Sequence, residues 1–284
     1  MIVVTGATGQ LGRLVVESLL EKIPATELAV AVRTPAKAAD LAERGVDVRA
    51  ADYGDPAALA AAVKGADKVL LISSSEVGGR VPQHTAVVNA AKEAGVGHLV
   101  YTSILRAETS TLGLAPEHKA TEELIRGSGV PFTFLRNGWY TENYLQPIAQ
   151  AAESGSFAGS AGDGRISSAT RADYAEAAAV VLTGDGHRGK VYELAGDTSW
   201  SYPELAAELS RAVGRPVEYQ DVPAERHREI LLGAGLPEPY ADLLVDSDRG
   251  IRGGELADDS GELRALIGRP TTPLTDTVAT ALRD

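Results

Sequence analysis

Residues 2–12 read Ile2-Val3-Val4-Thr5-Gly6-Ala7-Thr8-Gly9-Gln10-Leu11-Gly12. A short β-branched run breaks into a loop with three glycines, and an amphipathic segment follows, in the order strand, turn, helix. Gly6 lets the chain turn tightly off the strand. Gly9 lets the backbone approach a pyrophosphate with no Cβ in the way, and Gly12 lets the helix pack close to the strand. A helix starting near Leu11 aims free N–H groups and a partial positive charge at the phosphates. The expectation is a dinucleotide-binding loop formed by Gly6, Ala7, Thr8, Gly9, Gln10, Leu11 and Gly12, with G-x-x-G-x-x-G spacing instead of the commoner G-x-G-x-x-G.

Outward from this loop, strands and helices alternate. Strand patterns cover 28–33, 46–50, 68–72, 98–103 and 132–136. Helical patterns cover 10–21, 57–64, 81–94 and 116–126, and one more starts at Thr34-Pro35. Six strands alternating with helices imply an α/β fold with a Rossmann-like, doubly wound parallel sheet. Right-handed crossovers give the strand order 3-2-1-4-5-6.

The pattern changes after Asn137. Glycines crowd 155–164, a helix covers 171–182 and a strand covers 191–194. Ser201-x-x-Glu204 is a capping box that opens a helix to residue 212. A strand at 217–222 and a helix from Pro223 follow. The expected division is a nucleotide-binding domain at 1–153 and a smaller substrate-side α/β region at 154–284. The strand near 190–194 is compatible with a return to the main sheet. The second region is expected to pack over the carboxyl ends of the strands and close a cleft.

Composition narrows the partners. The chain of 284 residues carries a net charge of -12, which argues against nucleic acid and anionic membranes. It has no cysteine, hence no disulfide, thiol nucleophile or Cys-ligated metal. A strand beginning at residue 2 leaves no room for a signal peptide, and no apolar run approaches the ~18 residues of a membrane span. A cytoplasmic location is expected.

The end of the second strand bears on the nucleotide. NAD binders usually place Asp or Glu there for the ribose 2′-OH. Here the sequence is Val32-Arg33-Thr34, with Lys37 close behind. A guanidinium suits a 2′-phosphate, at about 1.5–3 kcal/mol per charge-assisted hydrogen bond. The expected preference for NADP(H) is roughly tenfold to several hundredfold; the plainer reading is a solvated surface Arg–Lys pair. Asp52, after the third strand, reaches the adenine edge or caps the next helix. Ser73, Ser74 and Ser75, after the fourth, offer donors to ribose and phosphate or simply make a turn.

Short-chain reductases usually carry Y-x-x-x-K, and no tyrosine here has a lysine four residues on. Two clusters remain. In Glu117-His118-Lys119-x-x-Glu122-Glu123, His118 and Glu122 stand one helical turn apart. Glu122 is expected to orient His118 and raise its pKa, making it a proton donor; the alternative is an exposed salt-bridge face. In Asn137-Gly138-Trp139-Tyr140-Thr141-Glu142, Asn137 offers an amide, and Trp139 and Tyr140 offer flat faces for an aromatic ring. The alternative is core packing under the second domain. A third candidate is Ala169-Thr170-Arg171-Ala172-Asp173-Tyr174, at a helix start.

These pieces resemble a known family. Gly6-x-x-Gly9-x-x-Gly12, Arg33-x-Pro35-x-Lys37, Ala51-Asp52-Tyr53-Gly54-Asp55, Ser73-Ser74-Ser75-Glu76-Val77-Gly78, Leu135-Arg136-Asn137-Gly138-Trp139-Tyr140, Ser168-Ala169-Thr170-Arg171-Ala172-Asp173-Tyr174 and Tyr192-Glu193-Leu194-Ala195-Gly196-Asp197 are similar to the bacterial type 2 NADPH:quinone oxidoreductases. These form part of the NmrA-like branch of atypical short-chain reductases. The match runs from Met1 to about Pro273 and is looser over the last sixty or so residues. The resemblance implies flavin-free, metal-free reduction of a small-molecule quinone by NADPH. It places cofactor contacts on Gly6 to Gly12, Arg33 and Ser73 to Ser75, and the quinone site on 137–142 together with 169–174. Tyr140 or His118 is then the candidate catalytic proton donor. The alternative within the same branch is a redox sensor that binds NADP(H) without turnover. A homodimer is compatible with either reading.

Overall fold

The computed structural model describes residues 1–76 and 78–283. Val77, in the loop motif quoted above, and Asp284 lie outside the described residues. The chain forms two compact units. The first comprises Met1–Glu108, Leu114–Asn137 and Arg171–Leu194; the second comprises Thr109–Gly113, Gly138–Thr170 and Ala195–Asp284.

In chain order, β1 (Ile2–Thr5), α1 (Gln10–Leu20), β2 (Leu28–Val32), α2 (Ala39–Glu43), β3 (Asp47–Ala50), α3 (Pro56–Val63), β4 (Lys68–Leu71), α4 (Arg80–Glu93), β5 (His98–Ile104), α5 (Ala115–Ser128) and β6 (Phe132–Asn137) build the first unit. Next come α6 (Leu145–Ser154), β7 (Ser156–Gly159) and β8 (Arg165–Ile166) of the second unit, then α7 (Arg171–Thr183) and β9 (Lys190–Leu194) of the first. The second unit ends with β10 (Trp200–Ser201), α8 (Tyr202–Val213), β11 (Glu218–Asp221), α9 (Ala224–Gly233), α10 (Glu238–Arg252), α11 (Glu262–Ile267) and α12 (Leu274–Ala281).

The sheet of the first unit is ordered β3-β2-β1-β4-β5-β6-β9, and every pairing is parallel. The 3-2-1-4-5-6 expectation holds, with β9 added beyond β6. Val3, Ala29, Ala31, Val69, Leu71, Leu99, Tyr101 and Phe134 face one core, shared with Leu59, Val87 and Ile125 of α3, α4 and α5. Their alternates Val4, Val30, Leu70, Val100 and Leu135 are equally buried, as a sheet covered on both faces requires. Strand order reverses between β1 and β4, and such a switch point is where ligands bind in open α/β sheets. The segment after Thr34 differs from expectation. It is a 3₁₀ turn at Pro35–Ala38 followed by the five-residue α2.

The second unit has two small sheets. β10 pairs antiparallel with β8, and β11 pairs parallel with β7. Its core is aromatic: Tyr144 packs edge-on to Trp200 with centroids 4.9 Å apart, and Tyr202 packs against Phe157 and Tyr219. The Ser201–Glu204 capping box forms as read. The helix at Leu145–Ser154 is an element the periodicity did not announce.

Candidate functional site

The glycine loop follows β1. Gly6 has φ +62°, the left-handed region that a side chain disfavours, and its carbonyl accepts from Gly9 N at 3.0 Å. A Cβ on Gly12 would collide with the Gly6 carbonyl oxygen and lie 2.8 Å from Ala7 Cα, so only glycine brings α1 this close to the loop. Gly9 is the N-cap of α1 and carries no side-chain cap. Thr8, Gly9 and Gln10 are exposed, while Ala7 and Leu11 are buried. The start of α1 therefore presents uncapped N–H groups over a cradle without side-chain bulk, which fits a pyrophosphate.

Arg33 leaves the carboxyl end of β2 and is exposed, as is Lys37 in the 3₁₀ turn. Arg33 Nη1 lies 3.7 Å from Glu76 Oε1, so the loop after β4 reaches the end of β2. No carboxylate occupies the end of β2 itself. Asp52 does not cap α3. Asp55 does, accepting from Ala57 N and Ala58 N at 3.0 Å each. Asp52 is exposed, and its Oδ1 accepts only a local bond from Gly54 N at 2.8 Å.

Ser73 to Ser75 form the loop after β4, which the helices behind it hold from several sides. Ser73 N donates to Thr102 Oγ1 at 2.9 Å, and Ser74 N donates to His84 Nε2 at 3.1 Å. Since His84 Nε2 accepts, its Nδ1 carries the proton and donates to Thr121 Oγ1 at 2.9 Å; that hydroxyl donates to Glu117 O. Arg80 Nε donates to Ser74 O at 2.6 Å. The Glu117 carboxylate accepts from Gly78 N and Arg80 N, capping α4 from another helix where its own N-cap, Gly79, has no side chain. Sequence reading assigned no role to Thr102, His84 or Thr121, and Glu117 entered it only as a member of the His118 cluster. The signal for Thr121 was the stripe Ala115, His118, Thr121, Glu122, Ile125 at helical spacing, which is the face α5 buries.

The expectation for His118 is corrected by this burial. Its Nδ1 lies 2.8 Å from Tyr101 Oη, and Glu122 bonds elsewhere. Desolvation, with the nearby Arg80 charge, pushes its pKa down from 6.5 to about 3. His118 is a neutral core imidazole at physiological pH, so no imidazolium is available there to donate a proton. The face is not the exposed salt-bridge face of the alternative either. Glu122 is fully buried and takes the guanidinium of Arg136.

Arg136 sits at the end of β6. It donates to Glu122, to Glu193 Oε1 at 2.8 Å and to Glu108 Oε1 at 3.0 Å, and Ser103 Oγ donates to Glu122 Oε1 at 2.6 Å. Burial alone would favour a neutral guanidine, but the bonds to Glu122 and Glu193 more than offset it and drive the pKa up. The next residue, Asn137, is 4% exposed and accepts from Leu105 N through its carbonyl. Its side-chain Oδ1 is buried with no hydrogen-bond partner among the described residues. A buried unpaired amide oxygen is costly unless a ligand pairs it.

Within the second unit, the residues after Asn137 meet the 168–169 segment. Ala169 N donates to Trp139 O, Thr141 N donates to Ala169 O, and Tyr140 forms a parallel bridge with Ala169. Thr141 Oγ1 and Trp200 Nε1 both donate to Ser168 Oγ at 2.9 Å. Gly138, Thr141 and Ala169 are buried; Trp139, Tyr140, Glu142 and Thr170 are half-buried. Trp139 hydrogen-bonds the side chain of Tyr144 and so borders the aromatic cluster of the second unit. Of the third candidate, Arg171 begins α7 in the first unit, Ala172 is exposed, and Asp173 and Tyr174 are buried. Among the described residues, no group of three or more His, Asp or Glu is placed to hold a metal ion, and no helix is long and apolar enough to cross a membrane.

The model of the NmrA-like family matches residues 1–251. Quinone oxidoreductase 2 of Escherichia coli (strain K12) is 56% identical over 279 residues, covering 98% of each chain. The crystal structure of an NADPH-dependent quinone oxidoreductase of Escherichia coli complexed with NADPH has a TM-score of 0.97 at 55% identity, covering 99% of both chains. A triphenylmethane reductase of Citrobacter sp. complexed with NADP(H) has a TM-score of 0.96 at 43% identity, covering 99% of this chain and 100% of that one.

Proposed function

The chain belongs to the NmrA-like family, and from that premise we propose that it is an NADPH-dependent quinone oxidoreductase acting without flavin or metal. The observation that carries the reading is the exposed Arg33 at the end of β2, beside a glycine cradle, in a chain that aligns almost end to end with an NADPH-complexed quinone reductase. Bound, the dinucleotide supplies the hydride. Gly6 to Gly12 and the start of α1 receive the pyrophosphate. Arg33 and Lys37 receive the 2′-phosphate, Asp52 reaches the adenosine, and Ser73, Ser74 and Ser75 serve the ribose at the nicotinamide half.

The quinone is assigned to Asn137, Gly138, Trp139, Tyr140, Thr141 and Glu142, with Ala169, Thr170, Arg171, Ala172, Asp173 and Tyr174. The unpaired Asn137 Oδ1 supports a hydrogen-bonding role there. A quinone is a good electron acceptor and needs less acid catalysis than a ketone, so alignment of the two rings is the main demand. This accounts for the missing Tyr–Lys pair. The proton that completes the hydroquinone comes from the Tyr140 phenol or from water. The reading carries a cytoplasmic location.

The test follows loss of NADPH absorbance by the purified, flavin-free chain against a panel of benzoquinones and naphthoquinones, with NADH as control. Quinone-dependent oxidation of NADPH without added flavin is expected. Tight NADPH binding with no turnover across the panel would replace the enzyme with a nucleotide-binding sensor.

A further inference from the structure

A carboxylate stands where the second phosphate is expected. Glu76 Oε1 lies 3.7 Å from Arg33 Nη1. Glu76 is in the loop after β4, far from Arg33 in sequence, and its orientation is held. Gln83 Nε2, on α4, donates to Glu76 Oε2 at 2.6 Å. Glu76 N donates to Ser74 Oγ, and Gly79 N donates to Glu76 O at 3.0 Å. One carboxylate oxygen is thus tied back to the helix, and the other is directed at the guanidinium.

The consequence is electrostatic. A 2′-phosphate must take its hydrogen bonds from a guanidinium already neighboured by a negative charge. A 2′-hydroxyl is neutral and meets no such competition. Resting on the reading of Arg33 as the 2′-phosphate contact, we propose that Glu76 is a specificity-determining residue. It competes with the phosphate for Arg33 and thereby lowers the preference for NADPH over NADH. The pair is exposed, at 73% and 57% of the two side chains, so the competition is modest and screened by salt.

The experiment is a double-mutant cycle on the full chain: wild type, Glu76→Gln, Arg33→Ala and the double variant. Dissociation constants for NADPH and NADH are read by quenching of tryptophan fluorescence, at low and at high salt. Glu76→Gln is expected to tighten NADPH about three- to tenfold, with NADH changed less than about twofold. In the Arg33→Ala background the gain should fall below about twofold, and high salt should shrink it in the wild-type background. Equal tightening of both nucleotides, no tightening, or a gain that survives without Arg33 overturns the proposal. If Arg33→Ala leaves the NADPH-to-NADH ratio unchanged, the phosphate reading of Arg33 fails and takes this proposal with it. A selective Arg33→Ala defect beside a silent Glu76→Gln overturns the proposal alone.

Discussion

Arg136 and Glu122 meet side-on in the interior of the first unit, with Nε 2.9 Å from Oε1 and Nη2 2.7 Å from Oε2. Neither partner can be removed quietly. Glu122→Ala removes the two buried bonds of the guanidinium and leaves it to Glu193 and Glu108, and Arg136→Ala leaves a fully buried carboxylate held by Arg126 and Ser103. Each single change is expected to cost about 1.5–3 kcal/mol, since charged partners remain on both sides. Urea unfolding of both variants measures it, and a loss under about 1 kcal/mol would show that the pair contributes little.

Gly12→Ala tests the cradle. Its Cβ meets backbone on the loop, which cannot swing aside as a flexible side chain can. The start of α1 must shift, so NADPH affinity is expected to fall more than about tenfold, since misplacement of the N–H groups by about an ångström is enough. Titration with NADPH reads the loss, while circular dichroism reports whether the helices persist. Unchanged affinity would remove the glycine loop from the binding site.

Arg33→Ala tests the nucleotide assignment. The KM for NADPH is expected to rise roughly tenfold to several hundredfold, corresponding to one or two lost charge-assisted bonds. The KM for NADH should change little, because no 2′-phosphate is present to lose a partner. Equal effects on both nucleotides would return Arg33 to a solvated surface residue.

The buried histidines set a pH dependence of stability. Burial lowers His84 and His98 to about 4 and His118 to about 3, against 6.5 in the unfolded chain. Below pH 6.5 the unfolded state binds protons that the folded state refuses. The stabilisation is therefore complete above about 6.5 and erodes as pH falls toward 4 and 3. Each histidine contributes a slope of about 1.4 kcal/mol per pH unit. Urea midpoints between pH 6.5 and 4.5 should fall steadily, and His118→Gln should have a slope shallower by one histidine's share, about 1.4 kcal/mol per pH unit. In the same range, kcat/KM for the quinone should show no inflection near 6.5. An inflection there that His118→Gln abolishes would restore His118 as a proton donor.

Much of the first unit was legible in the chain. The β-branched runs and the glycine loop fixed strand identity, and right-handed crossovers left one sensible order, which the sheet adopts with β9 added. Local hydrogen-bonding signals were equally readable, such as the Ser201–Glu204 capping box. The α6 helix was hidden because it follows a short 3₁₀ turn and lies beyond the alternating pattern. Asp52 and Asp55 were confusable because both precede α3 within a few residues, and only backbone geometry chooses which of them caps it.

The α5 cluster shows the limit most clearly. Spacing put His118 and Glu122 on one face but could not say that the face turns inward. Once it is buried, Tyr101 takes the imidazole and Arg136 takes the carboxylate. The encounter of Arg33 with Glu76 is likewise invisible in the chain, since it depends on the loops after β2 and β4, two strands that flank β1 and end at the same edge of the sheet. Strand, helix and turn follow from neighbours a few residues apart, which the order of side chains specifies. The charge state of a histidine and the partner of an arginine depend on groups tens of residues away, and only packing brings those groups within reach.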